Sequence, residues 1–108
     1  MAKKITIKKQ ITRYIKLLSK EIPVERVILF GSYALGKTNK HSDIDLAVFS
    51  SAFSDKTHLK DVLFLWTEAH KVDSRIEPLP FSTSEITKVD PRSFLAEIIR
   101  NGKTIYKK

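Results

Sequence analysis

Cysteine is absent from this chain of 108 residues, which excludes disulfide bonds and thiolate metal sites from its chemistry. The apolar runs are short, so the sequence offers no candidate for a bilayer-spanning helix. The basic start at Met1–Lys4 is followed by Lys8, Lys9 and Arg13, which interrupt the apolar segment that a signal peptide would need. We therefore expect a cytoplasmic protein, and the length suits one domain over residues 1–108.

Acidic residues are scarce beside basic ones, with 12 Asp and Glu against 20 Lys and Arg and a formal net charge of +8. A basic balance fits a nucleic acid, a nucleotide or an acidic partner, but an ordinary solvated lysine-rich surface explains it equally well. The sequence contains no pattern of aromatic residues and arginines for stacking on bases. Direct binding to nucleic acid is therefore not expected.

The chemistry is concentrated between Phe30 and Phe49. The apolar run Val27–Phe30 predicts a buried strand, and Gly31 closes it with a residue that allows a sharp turn and the close approach of a ligand. Ser32 follows at a predicted helix N-cap. A strand, a Gly-Ser turn and a short helix together form a setting that can bind phosphate oxygens, although an ordinary strand-to-helix turn has the same pattern.

A pair of aspartates lies on the next predicted strand, Ser42–Phe49. Asp43 and Asp45 are two residues apart, so they project from the same face, roughly 7 Å apart along the backbone. Two like charges on one face cost stability unless a ligand offsets them, and carboxylates suit Mg²⁺. For an isolated pair of this kind, two solvent-facing aspartates on an edge strand are the alternative.

The two halves together, Gly31-Ser32, ten residues, then Asp43-x-Asp45, resemble the signature of the DNA polymerase beta-type nucleotidyltransferase superfamily. The chain is most similar to its small branch, the minimal nucleotidyltransferases, and the likeness is sharpest over Val24–Ser50. The resemblance implies an α/β fold with a small mixed β-sheet and helices packed on it. It also implies that the Gly-Ser turn binds the triphosphate of ATP or another nucleoside triphosphate and that the aspartates hold Mg²⁺.

The resemblance also implies a third carboxylate on a neighbouring strand. Glu77 is the natural candidate, as a third metal ligand and as a group close enough to help deprotonate an acceptor hydroxyl, and Asp73 is its rival. Pro78 and Pro80 restrict this strand to an edge of the sheet or to a strand end.

The loop between the two halves departs from the family pattern at one position. Relatives often carry a basic residue where this chain has Leu35, and Lys37 or Lys40 is the candidate that would supply the missing charge to the nucleotide phosphates. His41 could touch a phosphate, but an exposed loop histidine has the same pattern.

The function implied by the resemblance is transfer of AMP from ATP, with release of pyrophosphate, to a hydroxyl of a partner protein. Similar chains act as antitoxins of a helical HEPN-type toxin, so a HEPN-type partner is expected, and a homo- or hetero-oligomer is possible. The alternative is a catalytically weak module that binds nucleotide or partner and inhibits by complex formation. Transfer to a small molecule or to RNA rests on the basic charge alone.

Hydrophobic periodicity predicts the remaining elements. The long helix Thr57–Val72 has a predicted core stripe at Leu59, Val62, Leu63, Trp66 and Ala69. Phe64 and Leu65 widen it beyond one face, which favours core packing on two sides and leaves an interface with a partner as the alternative. The other predicted elements are a first helix Thr6–Ile22, strands Val24–Phe30, Ser74–Phe81 and Lys103–Tyr106, and short helices at Ser32–Gly36, after Ser82 and at Pro91–Asn101.

Overall fold

Every predicted helix and strand is present in the computed structural model, which describes residues 3–36 and 43–108, and their ends differ from the predictions by no more than three residues. The elements are α1 Lys3–Ser19, β1 Val24–Phe30, α2 Ser32–Leu35, β2 Ile44–Ser50, α3 His58–His70, β3 Ile76–Ser82, a 3₁₀ helix Thr83–Ile86, α4 Phe94–Asn101 and β4 Lys103–Lys107. Over those two ranges, none of the helices is both long and apolar enough to cross a membrane.

The four strands form one mixed sheet in the order β3-β2-β1-β4, which confirms the predicted fold class. Strand β1 runs antiparallel to both β2 and β4, whereas β2 and β3 are parallel. Strand β3 lies at the edge, as its prolines require, because a proline has no N–H for a second neighbour. The end of β1 and the start of β2 are thus adjacent, and the start of β3 lies beside them.

The helices cover the two faces of the sheet unequally. The long helices α1 and α3 pack on one face, where Ile11, Tyr14, Ile15 and Leu18 of α1, which recur at helical spacing, are buried. The hydroxyl of Tyr14 donates to the carbonyl of Leu65, at 2.8 Å, and ties α1 to α3. On the other face the short α4 packs against a smaller cluster of Ile28, Ala47, Phe49, Leu95 and Ile98, and Ile86 of the 3₁₀ helix and Val89 pack against the same cluster.

The predicted core stripe of α3 is partly wrong. Leu59 and Leu63 are 72% and 59% exposed, whereas Ala69 is buried as predicted, on a side of the helix that also carries Asp61, Leu65 and Glu68. Asp61 turns inward because its carboxylate accepts hydrogen bonds from the Thr57 hydroxyl at 2.8 Å and the Ser54 amide at 3.2 Å. The bonds satisfy the loop that precedes the helix, and they rotate α3 away from the orientation that apolar spacing alone suggests. Phe64 is partly buried against the core.

Candidate active site

The turn after β1 is built on Gly31, whose φ of 73° and ψ of −148° are accessible to glycine and strained for other residues. The prediction that Ser32 is the N-cap is wrong, because Gly31 occupies that position and Ser32 is the first residue of α2. The carbonyl of Gly31 accepts the amides of both Ala34 and Leu35, each at 3.1 Å. Backbone hydrogen bonds therefore hold this turn.

Gly31 also lies directly against the carboxylate of Asp45. A Cβ atom added at residue 31 would overlap the Oδ2 atom of Asp45. The contact follows from the antiparallel register, in which Phe30 at the end of β1 pairs with Asp45 near the start of β2. A glycine is needed here because the carboxylate lies directly against the backbone. The turn and Asp45 thus form one site.

Three carboxylates meet beside this turn. In the parallel β2–β3 pair Asp45 is the register partner of Glu77, and Asp43 lies just before β2. Burial, followed by the charge of Asp43, raises the pKa of Asp45. A hydrogen bond with Asp43, then burial and the charges of both aspartates, raise the pKa of Glu77. The structure therefore brings together the three side chains that the motif predicted.

The three carboxylates are close enough to repel one another, but they do not form a finished metal cage. No group of three or more His, Asp or Glu side chains in the described ranges has the arrangement of a metal centre. The donor set still fits Mg²⁺, which proteins usually hold through one or two carboxylates while water and substrate phosphates complete the shell. Burial raises the pKa of Asp45 and the hydrogen bond with Asp43 raises the pKa of Glu77, each with a further contribution from neighbouring charge, and a bound cation would favour the ionised forms of both.

The interaction of Glu77 with Asp43 leads to a testable prediction. In the metal-free protein the Glu77 carboxyl should titrate above its ordinary pKa of about 4.3. In the Asp43→Asn variant that pKa should fall, because the neighbouring charge is gone. Carboxyl-carbon NMR over a pH series measures both values, and Asp55→Asn, on an exposed loop, is the control that should leave Glu77 unchanged. Equal Glu77 pKa values in all three proteins would mean that the carboxylates do not interact.

Asp73, the rival of Glu77, is engaged elsewhere. Its carboxylate accepts hydrogen bonds from the Arg75 amide, Nε and Nη2 at 2.9, 3.1 and 2.7 Å. The hydrogen bonds from Arg75 hold the pKa of Asp73 below its usual range. The Arg75 carbonyl in turn accepts the amide of Ile44 at 2.8 Å, so this pair fastens the start of β3 to the start of β2. Asp73 positions the strand that carries Glu77.

Replacing Asp73 by asparagine should therefore affect folding rather than chemistry. We expect the free energy of unfolding at pH 7 to fall by about 1 kcal/mol, since the ion pair is partly solvated. A lowered acid pKa stabilises the fold above the unfolded-state pKa of about 3.9, so the difference from wild type should vanish as the pH falls through the lowered value. Urea unfolding from pH 7 to pH 2.5 measures it. A constant difference at all pH values would contradict this role.

An apolar cleft adjoins the Gly31 turn. Its volume is about 200 Å³, and Phe30, Leu35, Phe94 and Ile98 line it with Glu97 and Asn101. Leu35 and Phe94 are 62% and 59% exposed, and the Phe94 ring meets Phe30 edge-on at 5.8 Å between centroids. In sequence Leu35 marks only the place of a missing basic residue, and Phe94 is one apolar residue of the predicted last helix. The exposed position of Phe94 depends on where α4 lies over the sheet, which periodicity does not specify.

Three of the residues that the sequence analysis weighed for this site, Lys37, Lys40 and His41, lie outside the described residues. The prediction that a loop lysine contacts phosphate therefore stays a prediction. Among the described residues, Leu35 at the end of α2 is exposed.

The fold and motif agree with comparisons to known proteins. The polymerase beta nucleotidyltransferase family model matches residues 9–108. Protein adenylyltransferase MntA of Shewanella oneidensis is 30% identical over 99 residues, which cover 87% of this chain and 63% of MntA. The chain thus spans less than two thirds of the length of that relative.

Two solved structures share the fold. One is a candidate nucleotidyltransferase from Sulfolobus solfataricus, with a TM-score of 0.70, 17% identity, and coverage of 96% of this chain and 83% of that one. The other is a complex of an MNT antitoxin with a tri-AMPylated HEPN toxin from Shewanella oneidensis, with a TM-score of 0.54, 21% identity, and coverage of 94% and 72%. With the family model covering nearly the whole chain, this protein belongs to the polymerase beta nucleotidyltransferase family.

Proposed function

We propose that this protein is an Mg²⁺-dependent nucleotidyltransferase that transfers AMP from ATP to a hydroxyl of a partner protein. The observation that carries the proposal is the meeting of Asp43, Asp45 and Glu77 beside the Gly31 turn. The name of the MntA relative, protein adenylyltransferase, supports the reaction type. The acceptor hydroxyl on a partner protein and a cytoplasmic location are further parts of the same proposal.

In the proposed reaction the acceptor oxygen attacks the α-phosphorus of ATP, and the bond between the α-phosphorus and the leaving pyrophosphate breaks. Glu77 accepts the hydroxyl proton, because it lies beside Asp45 at the same end of the sheet. In this proposal the backbone N–H groups of the Gly31-Ser32 turn and the Ser32 hydroxyl bind the phosphate oxygens. Mg²⁺, held by Asp43, Asp45 and Glu77, supplies positive charge to the phosphate oxygens when it is bound. The chain thus contributes mainly positioning and electrostatics.

The apolar cleft beside Gly31 is the proposed place for the nucleobase. A volume of about 200 Å³ next to the phosphate-binding turn suits one planar ring, and the half-exposed rings and methyl groups of Phe94 and Leu35 offer it an apolar surface. Asn101 and Glu97 at the rim provide polar groups for the edge of a base.

The Phe94→Ala variant tests this placement. We expect KM for ATP to rise about tenfold, with kcat nearly unchanged, because base–aromatic stacking contributes about 1–3 kcal/mol. The control is Ile105→Ala, an exposed apolar residue on β4 that lies outside this cleft and outside the surface proposed for the partner, and it should leave KM for ATP unchanged. Steady-state rates over a range of ATP concentrations decide the matter. An unchanged KM for ATP in Phe94→Ala would mean that the nucleobase does not bind in this cleft.

The proposed partner is a HEPN-type helical protein, and the surface proposed for it is the outer side of α3. Leu59 and Leu63 are four residues apart on one side of that helix and both are exposed. Exposed apolar pairs of this kind favour a docking surface. The MNT antitoxin of the solved complex binds a HEPN toxin, which supports the type of partner.

The exposed side of α3 also keeps the second candidate function open, a module that inhibits its partner by binding alone. The Asp43→Asn/Asp45→Asn variant separates the two functions. Retained inhibition by this variant would favour the binding module, whereas loss of inhibition with an intact complex supports the enzyme.

The experiment that tests the proposed reaction is label transfer. The protein and its partner are incubated with Mg²⁺ and ATP labelled at the α-phosphate, and in parallel with ATP labelled at the γ-phosphate. We expect label on the partner only from the α-position, because AMP is transferred and pyrophosphate leaves. Label from the γ-position would indicate a kinase, and no label from either would leave the binding module as the better account.

A further inference from the structure

We propose that this protein has a second ligand site, a pocket for a small phosphate compound, at the end of the sheet away from the three carboxylates. The pocket has a volume of about 370 Å³ and is lined by Arg26, Thr83, Lys107 and Lys108, with Glu25 at its side and Ile86 among its apolar walls. Nothing in the proposed transfer reaction uses these residues. The proposal is therefore independent of the proposed function.

Two polar atoms without partners carry the inference. The Nε atom of Arg26 and the hydroxyl of Thr83 are both shielded from solvent, and neither has a hydrogen-bond partner within the described ranges. Both residues line the same pocket. Buried polar groups are nearly always hydrogen-bonded, so a coincident pair of unsatisfied ones beside a cavity points to an absent acceptor. Both atoms are shielded as the side chains stand, so the proposal includes a turn of the two side chains toward the cavity when a ligand oxygen accepts from them.

Glu25, the acidic residue beside Arg26 in the sequence, does not form an ion pair with it. The Glu25 carboxylate accepts the Ser51 amide at 3.0 Å, and none of the ion pairs formed by the described residues includes Arg26. Glu25 also lies near the Thr83 hydroxyl, but without the geometry of a hydrogen bond. The one acidic side chain at the pocket therefore leaves both unpartnered atoms available.

The backbone orients these groups toward the pocket. The register of β1 against β2 shifts between Val24 and Arg26, and irregularities of this kind re-aim side chains and are common beside functional sites. Arg26 pairs with Phe49 on one side and Lys107 on the other. The amide of Lys108 donates to the Glu25 carbonyl at 3.0 Å, which holds the end of β4 at the pocket.

A phosphate group fits this set of donors better than a carboxylate. Three cations and a hydroxyl approach the pocket from three different segments, and the tetrahedral oxygens of a phosphate can accept from several directions at once. Arginine matches phosphate oxygens through its fixed fork, and lysines add charge without strict geometry. The apolar walls leave room for an organic group attached to the phosphate.

The pocket is separate from the three carboxylates. Along β1, Phe30 pairs with Asp45 at one end and Arg26 pairs with Phe49 toward the other. Four residues of strand span roughly 13 Å. Binding at the pocket can therefore be measured without Mg²⁺, under conditions in which the carboxylate site is silent.

The test is NMR of the Arg26 Nε–H resonance, identified by its loss in Arg26→Gln, in buffer with EDTA at constant ionic strength. Titration with inorganic phosphate, and separately with AMP, should move this resonance downfield to saturation, because the N–H gains an acceptor. If inorganic phosphate saturates the shift at a lower concentration than AMP, the pocket is a site for a free anion. If AMP saturates it at the lower concentration, the pocket is a nucleotide site. A resonance that does not move with either, or that moves equally with chloride, overturns the proposal.

Two variants and one control complete the test. Isothermal calorimetry should show that Arg26→Gln and Thr83→Val each weaken phosphate binding by about tenfold, because each removes a hydrogen-bond donor to a charged acceptor. The control is Lys9→Gln, which removes one positive charge from the exposed side of α1 and should leave the affinity unchanged. Equal affinities in Thr83→Val and wild type would contradict the proposal even if Arg26→Gln failed to fold.

Discussion

Replacing Asp43 and Asp45 together by asparagine is expected to lower the rate of AMP transfer at least about a thousandfold, since charge stabilisation at such centres supplies several kcal/mol and each 1.36 kcal/mol is a factor of ten. Asparagine keeps the size and one oxygen of each side chain but removes the negative charge that would hold a cation. Pyrophosphate release with partner and Mg²⁺ measures the rate. Binding to the partner should persist, because the exposed Leu59 and Leu63 lie on a different element.

The same variant should also be more stable than wild type at neutral pH. The pKa of Asp45 is raised in the folded state, so its carboxylate form is disfavoured by folding and stability declines as the pH rises through that value. Asparagine carries no charge and escapes this loss. The gain in the urea midpoint should disappear below the unfolded-state pKa of about 3.9. A site that costs stability when empty is what a cation-binding cluster predicts.

A charge-matched control separates these effects from a general change in net charge. Glu21→Gln together with Asp55→Asn removes two negative charges from exposed positions far from the three carboxylates in sequence. This control should keep the wild-type rate and should not show the same pH-dependent gain in stability. More than a tenth of the wild-type rate in the Asp43→Asn/Asp45→Asn variant would contradict the assignment of these aspartates.

Gly31→Ala is expected to have the second largest effect, a loss of at least about a hundredfold in transfer rate, because small misplacements of reacting groups can cost that much. A Cβ at residue 31 would overlap the Oδ2 atom of Asp45. The carboxylate or the turn must then move, and both belong to the proposed site. The rate with saturating ATP is the measurement.

The chain provides a close control for this variant in Gly36. Its φ is also 73°, and a Cβ there would meet nothing within 4 Å. Gly36 is in the left-handed helical region, where a side chain costs about 1–2 kcal/mol, whereas the ψ of −148° puts Gly31 in a region that is open essentially to glycine alone. Gly36→Ala should therefore lose less stability in urea than Gly31→Ala and keep most of its transfer rate. Equal losses of rate in the two variants would mean that backbone strain, rather than displacement of Asp45, explains the effect.

The elements of the fold were predictable because their signals are local. The bounds of Val24–Phe30 were predicted correctly from an apolar run closed by glycine. The orientation of α3 was not predictable in the same way, because two apolar stripes compete along that helix. Asp61 is buried because its carboxylate accepts hydrogen bonds from the Thr57 hydroxyl and the Ser54 amide. The side of α3 that faces the core therefore depends on these bonds rather than on hydrophobic spacing alone.

Some residues of the candidate site were likewise predictable from a local signal, whereas others depend on contacts distant in sequence. Gly31, Asp43 and Asp45 stand in one short motif, so their proximity follows from one strand-turn-strand unit. The choice between Glu77 and Asp73 needed the pairing of β2 with β3, which places Glu77 beside Asp45. That register is set by contacts distant in sequence. Leu35 and Phe94 likewise meet across one cleft only once α4 has packed on the sheet.

The most direct test of AMP transfer is the intact mass of the partner protein. The partner is purified after production with wild-type protein, and in parallel after production with the Asp43→Asn/Asp45→Asn variant. We predict a mass increase equal to one or more adenylyl groups with wild type only, and fragmentation should place each group on a hydroxyl side chain. An unmodified partner that is nevertheless inhibited equally by both proteins would contradict the account and identify a binding module.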